Sequence, residues 1–208
     1  MDRSSPTATA SASPQGFGED ATERLPIPAR ETMSEPQRIS ADAIIAGPRK
    51  AIFGPFVPLL QRPTLMEAIG KAGEALRFGG CLPDHVREFA ICVVARDTSN
   101  QFEWQVHAPL AIKAGVAEAA IDALRTGRRP RGLATDLETT IDFVDELMRR
   151  HGVSDATYAE AVRCFGEPGV VELTALVGYF AMVCWLVNVA RTPGPAGSAT
   201  APLAAFPC

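Results

Sequence analysis

Apolar positions along this chain recur mostly at three- and four-residue spacing, the pattern of helices that bury one face. The stretch from Leu82 to Gly115, LPDHVREFAICVVARDTSNQFEWQVHAPLAIKAG, reads as two helices meeting at a polar hinge. Pro83 suits a first helical turn, Asp84 and Glu88 lie near its positive end, and Phe89, Ala90, Ile91, Val93 and Val94 supply an apolar side. Asp97, Thr98, Ser99 and Asn100 then offer side-chain oxygens that compete with the backbone, so one helix breaks and another is capped, to end at Gly115.

Around this pair the same spacing predicts further helices. Thr64-x-x-Glu67 and Thr135-x-x-Glu138 read as capping boxes that open helices running to about Phe78 and to His151. A short helix spans about Ala117 to Thr126, Ser154 caps one that ends at Gly166, and the last runs from Leu173 to Ala190. Pro48 to Pro58 is too punctuated by Pro and Gly for one helix, and its Phe53 and Phe56 either plug the core or wall a pocket. With no strand, hairpin turn or glycine-rich phosphate loop, the expected fold is all-α with about seven helices in a single domain. That domain covers residues 41–192. Residues 1–40, rich in Ser, Ala, Thr and Pro, are expected to be disordered and carry no secretory signal, and 193–208 form an extended tail. The tail either dangles or docks Leu203 and Phe206 on a neighbour.

The run from Leu173 to Ala190 has no charged residue in 18 positions and so reaches the lower limit for a membrane span. Glu172 at its start, the dilution by Gly178, Tyr179 and Asn188, and the amphipathic helices before it argue instead for a buried helix and no membrane. A helix apolar all round must be covered all round, which points to a homo-oligomer.

Composition narrows the function classes. A formal charge of −4 over 208 residues argues against a nucleic-acid partner, since phosphate binding needs a concentrated basic surface. The only basic run, Arg125 to Arg131, reads as a solvated loop. Five scattered cysteines with no Cys-x-x-Cys fit a reducing cytoplasm, and no spacing with the three histidines makes a metal site, so neither metal nor cofactor is expected.

Candidate chemistry concentrates on the second helix of the central pair. Asn100, Glu103 and His107 project from one face, with Trp104 beside them. A carboxylate one turn before an imidazole holds one ring N–H and stabilises the imidazolium, which suits acid–base work near neutral pH. The plainer alternative is an ordinary helix-face ion pair. Trp104, together with Pro109, which denies the Gln105 carbonyl its donor, argues that this face looks into packed protein.

REFAICVVAR followed by NQFEWQVHAPLAIKAGV resembles the signature of the carboxymuconolactone decarboxylase family, which includes the alkylhydroperoxidase-D-like proteins. The similarity runs from about Gly47 to Arg191 and implies that family's helical bundle, often assembled as dimers, trimers or hexamers. In the peroxidase branch a Cys-x-x-Cys pair precedes the histidine. Here Asn100 and Glu103 stand at those two positions and His107 matches the histidine, so the thiol chemistry is missing. In the decarboxylase branch a glutamate at the position of Glu88 and the Glu-x-x-x-His helix face the same pocket, which the resemblance places near Phe53 and Phe56.

Three functions follow as expectations. The first is a cofactor-independent lyase or isomerase of a small lactone or keto acid. In it His107 is the acid/base, Glu103 its orienting partner and Glu88 a second proton carrier, while Arg96 clamps a substrate carboxylate or instead pairs with Asp97 or Glu74 at a helix end. Trp104, Asn100, Phe53 and Phe56 complete that candidate substrate site. The second is a non-catalytic module that binds a small ligand on the Glu/His face. The third, a peroxidase-type antioxidant, lacks the paired thiols it needs.

Overall fold

The computed structural model describes residues 22–195 and 198–204, and among these it contains eight α-helices and no strand. In order they are α1 (Glu35–Ala46), α2 (Phe56–Leu59), α3 (Pro63–Phe78), α4 (Asp84–Asp97), α5 (Gln101–Lys113), α6 (Glu118–Arg125), α7 (Thr135–Arg150) and α8 (Asp155–Ala190). Gly166, at φ 69° and ψ 170°, breaks α8 into two limbs at the position where the sequence predicts a stop. The second limb begins earlier than Leu173, because Pro168 two residues after the break sits where a helix start tolerates it.

The axis of the bundle is α4. Every residue from Glu88 to Arg96 is buried, and α5, α7, the second limb of α8, and α6 pack around it. The sequence predicts only an apolar side here. Ala90, Cys92 and Ala95 keep the remaining surface small enough for neighbours to close over it. The roles of α4 and α8 are thus exchanged relative to expectation: α8 buries Leu173, Leu176, Val177, Phe180, Val183, Cys184 and Val187 on one face but leaves Val171, Trp185 and Val189 in the open. By length and composition α8 also passes for a membrane span, with its inward face already occupied by the core.

The N-terminal boundary requires correction, since position 41 falls inside α1. Ser34 caps that helix through a reciprocal box with Gln37, and Met33 and Ala41 join Phe56, Leu59, Leu60 and Met66 in a satellite core. Met33 precedes the helix, and on α1 itself only Ala41 is fully buried while Ile39 and Ile45 stay exposed, so no clean apolar stripe marks it in sequence. The chain is tied down earlier still, with the Arg24 backbone N–H donating to the Ala190 carbonyl at 2.8 Å. Residues 1–21 lie outside the described residues. The two capping boxes expected at Thr64 and Thr135 are also absent: α3 starts on Pro63 after Arg62, and α7 is preceded by Ala134, so each threonine lies inside its helix instead of capping it.

Residues 198–204 do not dangle. They lie back along α5 of their own chain. Pro109 has no N–H for the Gln105 carbonyl, and the Ser198 hydroxyl donates to that carbonyl instead at 3.0 Å. The Trp104 indole N–H donates to the Ala201 carbonyl at 2.9 Å, and the Gln101 amide both donates to the Leu203 carbonyl and accepts from the Leu203 N–H. Leu203 is buried in the main core; Phe206 lies outside the described residues.

Candidate functional site

The α4 and α5 helices are packed together along their length, and the contact brings Glu88 opposite His107. Asn100 sets the register of α5. Its side-chain Oδ1 accepts from the Glu103 N–H at 2.8 Å, and its side-chain amide N–H groups donate to the Cys184 carbonyl and to the Asn188 Oδ1 of α8. One turn and two turns on, Glu103 and His107 point at the same buried space.

His107 is held between two carboxylates. Its Nδ1 lies 2.6 Å from Glu88 Oε2 and its Nε2 3.3 Å from Glu103 Oε2. All three side chains are buried, at 6 %, 3 % and 1 % exposure for Glu88, Glu103 and His107. Burial alone would push the imidazole down, but hydrogen bonds to Glu103 and Glu88 and the charges of both outweigh it, so His107 sits above its usual value. Burial likewise opposes the Glu88 carboxylate, and the hydrogen bond and charge of His107, with Arg77 and Arg87 nearby, hold it below the usual range. Both shifts favour the charged pair of His107 and Glu88 over the neutral one.

A cavity of about 30 Å³ adjoins the Nε2 side of the ring, the share of one water in the liquid. Glu103 and His107 line it together with Phe53, Phe56, Phe102, Tyr179 and Phe180, and with two arginines, Arg49 and Arg77. Phe180 meets the His107 ring edge-on at 5.1 Å, and Phe53 stacks on Phe102 at 6.3 Å. Gly54 carries the loop over Phe102 at φ 55°, where an added Cβ would lie 2.3 Å from the ring. Arg49 is nearly enclosed, ion-paired with Glu74 and stacked 4.4 Å over the Phe56 ring. The Arg77 Nε is buried with no partner among the described residues. The Tyr179 hydroxyl fits against Gly73, where an added Cβ would lie 2.2 Å away, and burial raises its pKa. Glu88 faces away from this cavity, toward a separate cleft shared by Arg77 and Arg87.

Of the residues singled out by sequence, Glu88, Glu103, His107, Phe53 and Phe56 come together. Arg96, Asn100 and Trp104 do not. Arg96 lies more than two turns along α4 from Glu88, where its guanidinium donates to the carbonyls of Arg125 and Ala204. Asn100 is consumed in capping, and Trp104 turns to the C-terminal segment. Asn100 and Trp104 are near His107 along α5, and Arg96 near it only through the hinge that follows α4; in each case the side chain leaves its helix in another direction. Sequence reasoning missed Arg49, Arg77 and Tyr179, which arrive from the loop before α2, from α3 and from α8; no local spacing links them. The two carboxylates approach opposite nitrogens of one ring and do not converge as metal ligands must, and no other metal-holding group occurs among the described residues. A roomier cleft of about 320 Å³ between Arg96, Arg128, Arg129 and Arg149 contains no such sheltered acid–base pair.

No protein-family profile matches the chain, and no curated protein matches it. Among solved structures it is similar to a Ralstonia eutropha JMP134 protein described as an alkylhydroperoxidase AhpD core, an uncharacterized peroxidase-related protein. The TM-score is 0.66 at 15 % identity, covering 82 % of this chain and 92 % of that one. The likeness is one of fold: an all-helical, AhpD-like core.

Proposed function

We propose that this AhpD-like protein is a cofactor-independent enzyme that moves protons on a small lactone or keto acid, as its resemblance to carboxymuconolactone decarboxylases implies. The observation that carries the reading is His107, buried between Glu88 and Glu103, with its Nε2 side turned to a cavity that also holds two arginines. The geometry favours exchanging the roles of the two glutamates. Glu88 grips Nδ1 from behind and fixes the ring, while Glu103 shares the cavity with Nε2 and can take or pass a proton.

In a decarboxylation the C–CO₂ bond breaks and its electron pair is delocalised onto a neighbouring carbonyl oxygen. Arg49 or Arg77 stabilises that charge, and His107 Nε2–H then protonates the carbon. In an isomerisation Glu103 takes a proton beside the carbonyl and His107 returns one further along the conjugated system. Arg77, with an unpartnered buried N–H in the cavity wall, takes over the carboxylate-holding role first given to Arg96. Because the cavity has the volume of one water, substrate entry requires the Phe53 loop or an arginine side chain to move aside.

The neighbour's peroxidase-related description does not carry over easily. Cys92 and Cys184 lie nearest the site, but burial, and after it the charge of Glu88 or Glu103, raises both thiols well above their usual range. The test is to incubate the protein with small lactones and β-keto acids in D₂O and follow product by NMR. Turnover with one deuterium placed on carbon, lost in His107→Ala, supports the proposal. Tight binding of such acids with no turnover would leave a ligand-binding module in its place.

A further inference from the structure

The open face of α8 follows a regular pattern. Val171, Ala175, Gly178, Met182, Trp185 and Val189 succeed one another at spacings of four, three, four, three and four residues, a seam of alternating steps like that of paired helices. Val171, Trp185 and Val189 are exposed by 70 %, 58 % and 61 %, Ala175 and Gly178 are exposed, and a Cβ at Gly178 would meet nothing within 4 Å. No charged residue lies between Leu173 and Ala190. The spacing reads the same in both directions. Laid against itself head to tail, the seam pairs Val171 with Val189, Ala175 with Trp185, and Gly178 with Met182, so every large side chain meets a small one or an equal valine. Laid parallel, Trp185 would meet Trp185 and Gly178 would face Gly178 across a void, which wastes packing at one end and overfills it at the other.

We propose that the second limb of α8 is an isologous dimer interface, docking antiparallel on the same limb of a second copy of this chain. The seam of 19 residues from Val171 to Val189 extends about 27 Å, and antiparallel helix dipoles suit the arrangement. A single helix seam covers less than the roughly 800 Å² per partner of a standard interface, so the dimer has a dissociation constant on the order of micromolar. A lipid surface is the competing occupant of an apolar stripe, but it offers no reason for the matched large and small positions.

The test uses the full chain. Sedimentation at about 50 µM is expected to give a dimer or a higher even-numbered assembly, and Ala175→Arg to weaken it by about 100-fold or more with an unchanged circular dichroism spectrum. In a background with Cys81, Cys164 and Cys208 changed to serine, Ala175→Cys mixed with Trp185→Cys should give a disulfide-linked heterodimer, while either alone links far less. The cysteine pair keeps the geometry testable even if the arginine variant fails to fold. A monomer at 50 µM, a trimer, an assembly indifferent to Ala175→Arg, or preferential crosslinking of Ala175→Cys to itself would overturn the proposal. So would binding to phosphatidylcholine vesicles that requires the same face while the protein stays monomeric.

Discussion

Glu88 and His107 stand 19 residues apart in sequence, on different helices, and their side chains meet at 2.6 Å in the interior. Replacing Glu88 by Gln keeps the shape and removes the charge that holds the ring, leaving His107 with Glu103 as its remaining acidic partner. Breaking a buried pair in this way should cost about 2–3 kcal/mol of stability by thermal or urea unfolding. If Glu88 orients the acid without touching substrate, as proposed, activity on a lactone or keto acid should fall about 100-fold in kcat with little change in KM. A KM effect alone would move Glu88 into the substrate site.

Glu103→Gln and His107→Ala should behave as one unit. If proton transfer passes through both, the double variant will be scarcely slower than His107→Ala, whereas independent multiplication of the two losses would separate them.

Stability should depend on pH in a defined direction. His107 is raised above 6.5 in the folded state, so its contribution is complete below 6.5 and fades as pH climbs through the folded value. Glu88 is lowered below 4.5, so its contribution is complete above 4.5 and fades as pH drops through the folded value. Together they give a maximum between 4.5 and 6.5. The alkaline slope should flatten in His107→Ala; if it persists, another group is responsible.

Arg77→Gln should raise KM for a carboxylate substrate by about 10- to 100-fold and leave a neutral ester analogue nearly unaffected, the difference that separates charge recognition from general damage to the cavity. Equal losses on acid and ester would refute the assignment.

Ending the chain after Thr192 should remove the contacts of Ser198, Ala201 and Leu203 with α5 and uncover Trp104. The loss is about 3–5 kcal/mol, or a fall in Tm on the order of 10 °C, with a red shift of indole emission. An unchanged melting curve would show the segment to be idle.

What could be read in advance follows from how far apart the determinants lie. The break at Gly166, the cap at Asn100 and the shared face of Glu103 and His107 are set by residues within a turn or two of each other, and spacing reveals them. The Glu88 contact came from the family resemblance, not from spacing. Arg49, Arg77 and Tyr179 converge from three elements through tertiary packing, which leaves no periodic trace. The misplacement of Arg96 and Trp104 has the same origin, since nearness in sequence, along α5 for Trp104 and across the hinge after α4 for Arg96, says nothing of the direction in which a long side chain leaves its helix. The satellite core under α1 was hidden by economy: this stretch buries only Met33 and Ala41 fully and half-buries Ile44, while Ile39 and Ile45 face out.

The segment along α5 is gripped largely by its own backbone. Ala201 and Leu203 present carbonyls, Leu203 also an N–H, and the fixed partners are an indole, a primary amide and the carbonyl freed by Pro109. Such a strap is locked in length and loose in spelling. Exchanging Ala199 or Thr200 for another small residue leaves the grip intact, while inserting or deleting one residue between Ser198 and Leu203 shifts every carbonyl away from its donor at once.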